Sequence, residues 1–389
     1  MLLPLHPQPH SGEILSSWMV RLAFANGFPL HTFYANLLGY RAPIWNRDID
    51  RHPSSMLLDM LSRKAGQSSL TLQALTLSAY EGILFEQLPK IGNAPWVLPV
   101  WVFHRTRRRA GMQFCPLCLQ CDADPYYRRS WRLAFYVMCE RHQCLMEEHC
   151  PSCHEPIAYH RHGIGRGKEI SGQLLRFCHR CGFDLSRTCP VYPDWPDSCS
   201  LQSFSEMTRH FKLDAWEYEP LTQACPISFF AGLHALVSVV GGRHGRQLRQ
   251  KLGNIFGSCF DAQYSASHVE FEHLGVLARS RLLLAVTWLL NDWPNRFVAI
   301  CAECGFTRSR LAEDVRALPY WLASVADEYL DNRHYTPNGD EVFAAGSYYL
   351  RTHQIVTSTA LGSLLGLSKD AANTAWRLWR ERAPATQRR

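Results

Sequence analysis

No apolar run of about 18 residues, the length that crosses a bilayer, occurs in the chain, and the strongest candidate, Leu282–Leu290, is far too short. The opening, Met1–Leu–Leu–Pro–Leu–His–Pro7, lacks a basic segment followed by a long apolar stretch, so neither a secretory leader nor a membrane span is expected. The signatures of common enzymes are missing as well: there is no Gly-x-Ser-x-Gly, no His-Glu-x-x-His and no dinucleotide-binding glycine pattern. The basic, glycine-rich stretch at 160–172 fails as a phosphate loop, because His162 stands where the first glycine belongs and Glu169 where Ser or Thr belongs. Scattered acids such as Asp122, Asp124, Asp314 and Asp340 form no recognisable nuclease set. These absences lead to the expectation that the protein is not an enzyme.

Cysteine, by contrast, is plentiful, with 15 in 389 residues. In a long chain without a leader, cysteines spaced in pairs beside histidine point to metal rather than disulfides, and to a reducing cytoplasm. Four such pairs follow one another: Cys115–Cys118, Cys139–His142, Cys150–Cys153 and Cys178–Cys181, each with two residues between its ligands. A two-residue gap lets a tight turn aim both side chains at one ion. Twenty residues separate the first two pairs and twenty-four the last two, near the spacing of a tetrahedral zinc site built from two knuckles. Two structural Zn2+ ions per chain are expected, one on three Cys and one His, the other on four Cys. The long basic loop in the last gap favours sequential pairing over a cross-braced arrangement. Cys121, Cys144 and His179 lie close enough to compete as ligands, and Cys301–Ala–Glu–Cys304 is a fifth pair without a partner, read as a packing feature.

A 47% hydrophobic content supports real cores, and the length calls for two to four domains. The division expected is 1–103, an N-terminal helical region; 104–200, the metal region; 201–295, a helical domain; and 296–389, a C-terminal helical region. Near the N-terminus, Ser11 is expected to cap a helix with Glu13 in its first turn, carrying Leu15, Trp18, Met19 and Leu22 on one face; a second helix follows over Leu30–Leu38. Further helices are expected over Ser54–Lys64, Leu70–Ser78, Trp131–Met138, Leu201–Phe211, Ile227–Val240, Gly245–Phe256, His273–Leu290, Arg296–Cys304 and Arg308–Leu330. At the C-terminus, Thr359–Leu365, Gly366 and a helix capped by Ser368 follow the order of a helix-turn-helix, with Asn373, Thr374 and Arg377 facing outward. The alternative is that Trp376, Leu378 and Trp379 belong to a core or a partner interface.

A net charge of +7 permits an acidic partner without demanding one. Its distribution is more telling: Arg105, Arg107, Arg108, Arg109, Arg128, Arg129 and Arg132 bracket the first Cys pair, and Arg377, Arg380, Arg382, Arg388 and Arg389 crowd the C-terminus. Arg105, Arg107, Arg108, Arg109, Arg128, Arg129, Lys369, Asn373, Arg377 and Arg380 are the candidate contacts to nucleic acid or a partner.

The run Phe114–Cys115–Pro–Leu–Cys118–Leu119, then Pro125–Tyr126–Tyr–Arg128, Trp131–Arg–Leu133, Cys139–Glu–Arg–His142, Leu145 and Cys150–Pro–Ser–Cys153, resembles the zinc motif of the TniQ family. The opening Leu15–Ser–Ser–Trp18–Met–Val–Arg21–Leu22–Ala23 with Asn26–Gly27 resembles the start of that family, and the likeness extends over residues 8–185. The resemblance implies a mainly α protein with small zinc-ribbon β elements: an N-terminal helix-turn-helix, two tandem zinc ribbons and a C-terminal helix-turn-helix region. It implies zinc on the eight ligands above and a bacterial, cytoplasmic, non-enzymatic role in choosing a transposon's insertion site. The partners implied are an AAA+ transposition ATPase, target DNA, an RNA-guided CRISPR surveillance complex in CRISPR-associated members, and a second copy of the chain. The related TnsD proteins read an attachment site directly, which is the alternative function.

Overall fold

The computed structural model describes all residues except 1, 43, 46, 101, 104–105, 108–110, 163–173, 195–197, 211–224, 258–269, 314–317, 331–335, 354, 368 and 384–389. Arg105, Arg108, Arg109, Arg388, Arg389, most of the basic loop and the Ser368 cap therefore lie outside the described residues. The described chain is helical, with one two-residue antiparallel pair, β1 (Val102–Phe103) and β2 (Thr106–Arg107). It divides into two compact units, Met1–Ala326 and Asp327–Arg389.

The larger unit begins with α1 (Leu15–Ala25), where Leu15 to Val20 are all buried. Its cap is Ile14, without a side-chain hydrogen bond, not Ser11. Tertiary pairing overrides the local cap: Glu13 bridges to Arg128, and the Ile14 N–H donates to the Tyr127 carbonyl at 3.0 Å. α2 (Leu30–Thr32) does not run on to Leu38 as an α-helix. It widens into a π-turn over Phe33–Leu37, with the Leu38 N–H donating to the Phe33 carbonyl at 3.1 Å. The wider turn accommodates adjacent Phe33 and Tyr34, both buried.

α3 (Ser55–Ala65) is capped by the Ser54 hydroxyl and ends at Gly66 in the left-handed region, φ 66°. The expected helix over Leu70–Ser78 is divided. α4 (Ser69–Ala74) stops where the Thr76 hydroxyl accepts from the Ser78 N–H, and a 3-10 turn follows over Leu77–Tyr80. The Leu77 N–H meanwhile donates to the Asp50 carbonyl at 2.7 Å, a partner outside the helix.

Between the first and last ligands of the metal region, α5 (Pro116–Cys121) is the one α-helix among the described residues. The helix expected over Trp131–Met138 is absent: a 3-10 turn spans Arg129–Arg132 and the chain then extends. Residues 131–139 are buried without interruption, which removes the polar face of an amphipathic helix. Their backbone pairs with 96–98 instead, Leu98 N–H donating to the Arg132 carbonyl at 2.9 Å and Ala134 N–H to that of Trp96 at 2.7 Å.

The helical part comprises α6 (Ser198–His210), α7 (Pro226–Gly241), α8 (Arg246–Phe256), α9 (Val276–Leu290), α10 (Asn295–Glu303), α11 (Arg308–Glu313) and α12 (Tyr320–Tyr329). α9 starts after a separate 3-10 turn at Phe271–His273, and α11 and α12 replace the single helix expected over Arg308–Leu330. Buried Arg249 donates to the Val240 and Gly242 carbonyls and so satisfies the end of α7. No single described helix is long and apolar enough to cross a membrane; α7 and α8 qualify only as a pair, bent by 91°.

The smaller unit contains α13 (Gly339–His353), α14 (Ser358–Leu365) and α15 (Lys369–Arg382) around Val342, Val356, Leu361, Ala375 and Trp379. Thr357 caps α14, and Gly366 ends it at φ 66°. Trp379 is core, Trp376 donates to the Val356 carbonyl at 3.1 Å, and Leu378 is exposed.

Candidate metal centres

Three of the four ligand pairs share one backbone design. In each, as also from Leu119 to Cys115 at 3.2 Å in the first pair, the N–H four residues past the first ligand donates to that ligand's carbonyl: Gln143 to Cys139 at 2.7 Å, His154 to Cys150 at 2.9 Å and Gly182 to Cys178 at 2.9 Å. The first ligand's own N–H reaches forward to the Cys144, Glu155 or Phe183 carbonyl. Closing so tight a turn puts Gln143, His154 and Gly182 at φ 53°, 57° and 75°, a region that costs little for glycine and more for the other two. Single bridges, Met138 with Leu145, His149 with Pro156 and Phe177 with Asp184, close the arms. The first pair differs: Cys115 is the N-cap of α5, with Pro116 in its first turn.

The knuckles combine sequentially. Cys115, Cys118, Cys139 and His142 form one cluster, and Cys150, Cys153, Cys178 and Cys181 the other, with donor atoms within 4.8 Å of one another in each. In the first, His142 presents Nδ1 at 3.4 Å from the sulfurs of Cys115 and Cys118 and 3.6 Å from that of Cys139, while the Cys118 and Cys139 sulfurs are 3.7 Å apart. In the second, the Cys150–Cys181 and Cys153–Cys178 sulfur separations are 3.6 and 3.7 Å. A tetrahedral ion with bonds of about 2.3 Å to sulfur places its ligands about 3.7 Å apart, so both donor sets fit one ion each. No disulfide joins any of the described cysteines.

The electrostatics favour a cation. Hydrogen bonds from Cys115 and Cys118 hold the Cys139 thiol down to about 2, while Cys115 and Cys139 push Cys118 up. Three thiolates cannot ionise side by side without a positive charge among them. Burial likewise pushes Cys178 up to about 12.

The competing groups fall outside the clusters. Cys121 is exposed at the end of α5, and buried Cys144 lies 3.6 Å from the Cys115 sulfur without joining the four-atom set. Cys301 is buried on α10 with Cys304 at its C-cap, and neither belongs to a metal-type group among the described residues.

Sequence patterns gave no signal for the polar contacts that fasten these centres to the helices. Arg132 is buried and donates to Asp48 at 2.6 Å and Asp50 at 3.2 Å, and the Ser16 hydroxyl donates to Asp50 at 2.8 Å. Arg21 joins buried Glu13, at 2.7 Å, to Asp124, at 2.5 Å. Burial lifts the Glu13 carboxyl above its ordinary value, against the pull of Arg21. Trp96, buried and at φ 67°, donates its backbone N–H to Glu272 at 2.6 Å and its indole N–H to the Phe230 carbonyl at 3.1 Å.

Of the candidate contacts, Arg107 lies in β2. Arg128 is held by Asp122 through two 2.9 Å bonds and lies 4.4 Å from the Tyr126 ring centroid, and Arg129 lies over Tyr80 at 5.1 Å. In the separate smaller unit, α15 carries Lys369, Arg377 and Arg380 exposed and Asn373 half-buried, with Arg380 over Trp376 at 4.8 Å.

The fold and the two clusters define a mainly helical protein organised on paired four-donor Cys/His centres. The TniQ family model matches residues 4–146, from the N-terminal segment through the first cluster, and over that stretch the chain is similar to the TniQ family. The match ends before Cys150, short of the second cluster, whereas the sequence resemblance extends to 185. No curated protein matches the chain.

Proposed function

We propose that this protein is a non-enzymatic adaptor in transposition, linking a targeting complex or target DNA to an AAA+ ATPase and its transposase. The observation that carries this reading is the TniQ match over α1 to α5 and the first cluster. Zn2+ is the ion proposed for both centres: sulfur-rich four-donor sets suit it, and four protein ligands leave no open coordination position for chemistry. Two tandem zinc ribbons would then make rigid the described parts of residues 104–200, with helical regions at 1–103, 201–295 and 296–389 in the chain. A bound zinc supplies the cross-link, while Arg21, Arg132 and Trp96 transmit that rigidity to the helices. An RNA-guided surveillance complex and a second copy of the chain are the further partners proposed.

A second reading, direct reading of a DNA site in the manner of TnsD proteins, is favoured by one feature. Helix, Gly366 turn and α15 have the order of a helix-turn-helix, and α15 exposes Lys369 and Arg377. Binding to duplex DNA separates the two. A direct reader prefers one sequence over scrambled DNA at physiological salt, with affinity falling steeply as salt rises. An adaptor shows no preferred duplex and needs the ATPase or the guide complex to be recruited. Failure of the purified chain to bind ATPase, guide complex or DNA would overturn both.

A further inference from the structure

Beside the first cluster lies a cavity of about 520 Å³, walled by the turn at Ser11–Gly12, by Tyr80, and by Arg128, Arg129 and Arg141. Its volume is in the range that holds small ligands, about 300–1,000 Å³. Glu140 is the one carboxylate among its lining residues.

The three arginines are not equivalent. Arg128 is balanced by Asp122 and held between Tyr126 and Trp131, whose ring centroids are 4.4 and 4.8 Å away. It serves as a wall. Arg129 hydrogen-bonds to Tyr80, and Arg129 and Arg141 share the cavity with Glu140. The Arg129 guanidinium lies over the Tyr80 ring, and its Nε is buried without a hydrogen-bond partner. A guanidinium already ordered on an aromatic face loses little freedom when it takes up an anion. Arg141 is exposed within the Cys139–His142 knuckle, so its backbone is fixed by the same turn that presents the ligands. Two guanidinia against the one Glu140 carboxylate leave the cavity net positive, and together they offer more donors than a single carboxylate accepts, which suits an anion with more oxygens and more charge.

We infer that this cavity binds a phosphate group, with Arg129 and Arg141 as its donors. The phosphate belongs to a nucleic-acid backbone or to a free nucleotide. The backbone source rests on the nucleic-acid contact proposed above; the free source does not.

The test uses the full chain and the variants Arg129→Gln, Arg141→Gln and the double, each checked for metal content and thermal midpoint. Arg141→Gln keeps the test decisive if burial of Arg129 makes its variant unstable. With a labelled duplex oligonucleotide, the double variant is expected to bind about tenfold more weakly and to show a salt slope shallower by about 1–2, the loss of one or two phosphate contacts. With inorganic phosphate or AMP, the wild type is expected to gain thermal stability and Arg141→Gln to gain less. A response to the duplex alone assigns the backbone source, and a response to phosphate or AMP alone the free one. If the wild type binds duplex and the variants match it in every assay, the cavity proposal falls while the DNA reading stands. If no duplex binds, that reading falls and the phosphate and AMP measurements alone decide the cavity. A response only to a Glu-rich peptide overturns the proposal in favour of a protein ligand.

Discussion

Glu148 grips the start of α9 from the stretch between the two metal clusters: one oxygen accepts from Arg279 at 2.5 Å and the other from the Val276 N–H at 3.0 Å. Arg279 is buried and also donates to the Ala134 carbonyl at 2.6 Å and to Gln113 at 3.2 Å. One carboxylate thus neutralises a buried cation and caps a helix far away in sequence, where the helix dipole favours negative charge.

Glu148→Ala is therefore expected to cost about 3–5 kcal/mol, since it leaves Arg279 buried with its charge uncompensated. Denaturant unfolding followed by tryptophan fluorescence measures this. A loss below about 1 kcal/mol would show that the pair contributes little to the fold.

The clusters predict metal stoichiometry. Elemental analysis should give two zinc ions per intact chain, and Cys178→Ser should retain the ion of the first cluster alone. Cys139→Ser, in the more deeply buried cluster, should aggregate or unfold, because binding and folding are coupled at such sites. A folded, monomeric wild type without metal would refute the assignment.

Stability should depend on Glu272. Burial alone would raise its carboxyl, but the hydrogen bond and charge of His234, at 2.8 Å, and the Trp96 N–H more than offset this and hold it below its ordinary 4.5. A depressed carboxylate stabilises the fold above its unfolded value and loses that contribution as pH falls through the folded one. Glu272→Gln should thus be less stable than wild type near neutrality, with the difference shrinking below about pH 4.5. Unfolding midpoints of both proteins at matched pH decide this; a gap that is constant with pH would contradict it.

In the smaller unit, a Cβ on Gly346 would meet the Trp379 indole at 2.0 Å. Gly346→Ala should destabilise the 327–389 unit by about 2 kcal/mol through overpacking. Heteronuclear NMR should show perturbed signals across α13–α15, with metal content unchanged. An unperturbed Trp379 indole signal would count against the close packing.

Helices and metal ligands were legible in sequence to different degrees. Ser54 and Gly66 bracket α3 as local chemistry requires, and Gly366 ends α14, because a cap or a left-handed glycine acts within a few residues. Trp131–Met138 misled because burial on all sides removes the periodicity that distinguishes helix from extended chain. Ser11 misled because Ile14 found a backbone partner at Tyr127.

The sequence by itself determined the pairing of ligands within each knuckle, since a two-residue gap is closed by hydrogen bonds spanning no more than five residues. Which knuckles share a cluster, only favoured by the sequence, was decided by the tertiary structure. The sequence also carried the TniQ likeness over the N-terminal helices and the first cluster. Only the tertiary structure decided which acids neutralise which arginines. Arg132 reaches back 84 residues to Asp48, and Arg279 reaches back 131 to Glu148. Nothing in the spacing marks those partners, because a charge has no periodicity and its partner is selected by the path of the whole chain. Placing Arg129 and Arg141 in one cavity beside the first cluster belongs to the same level.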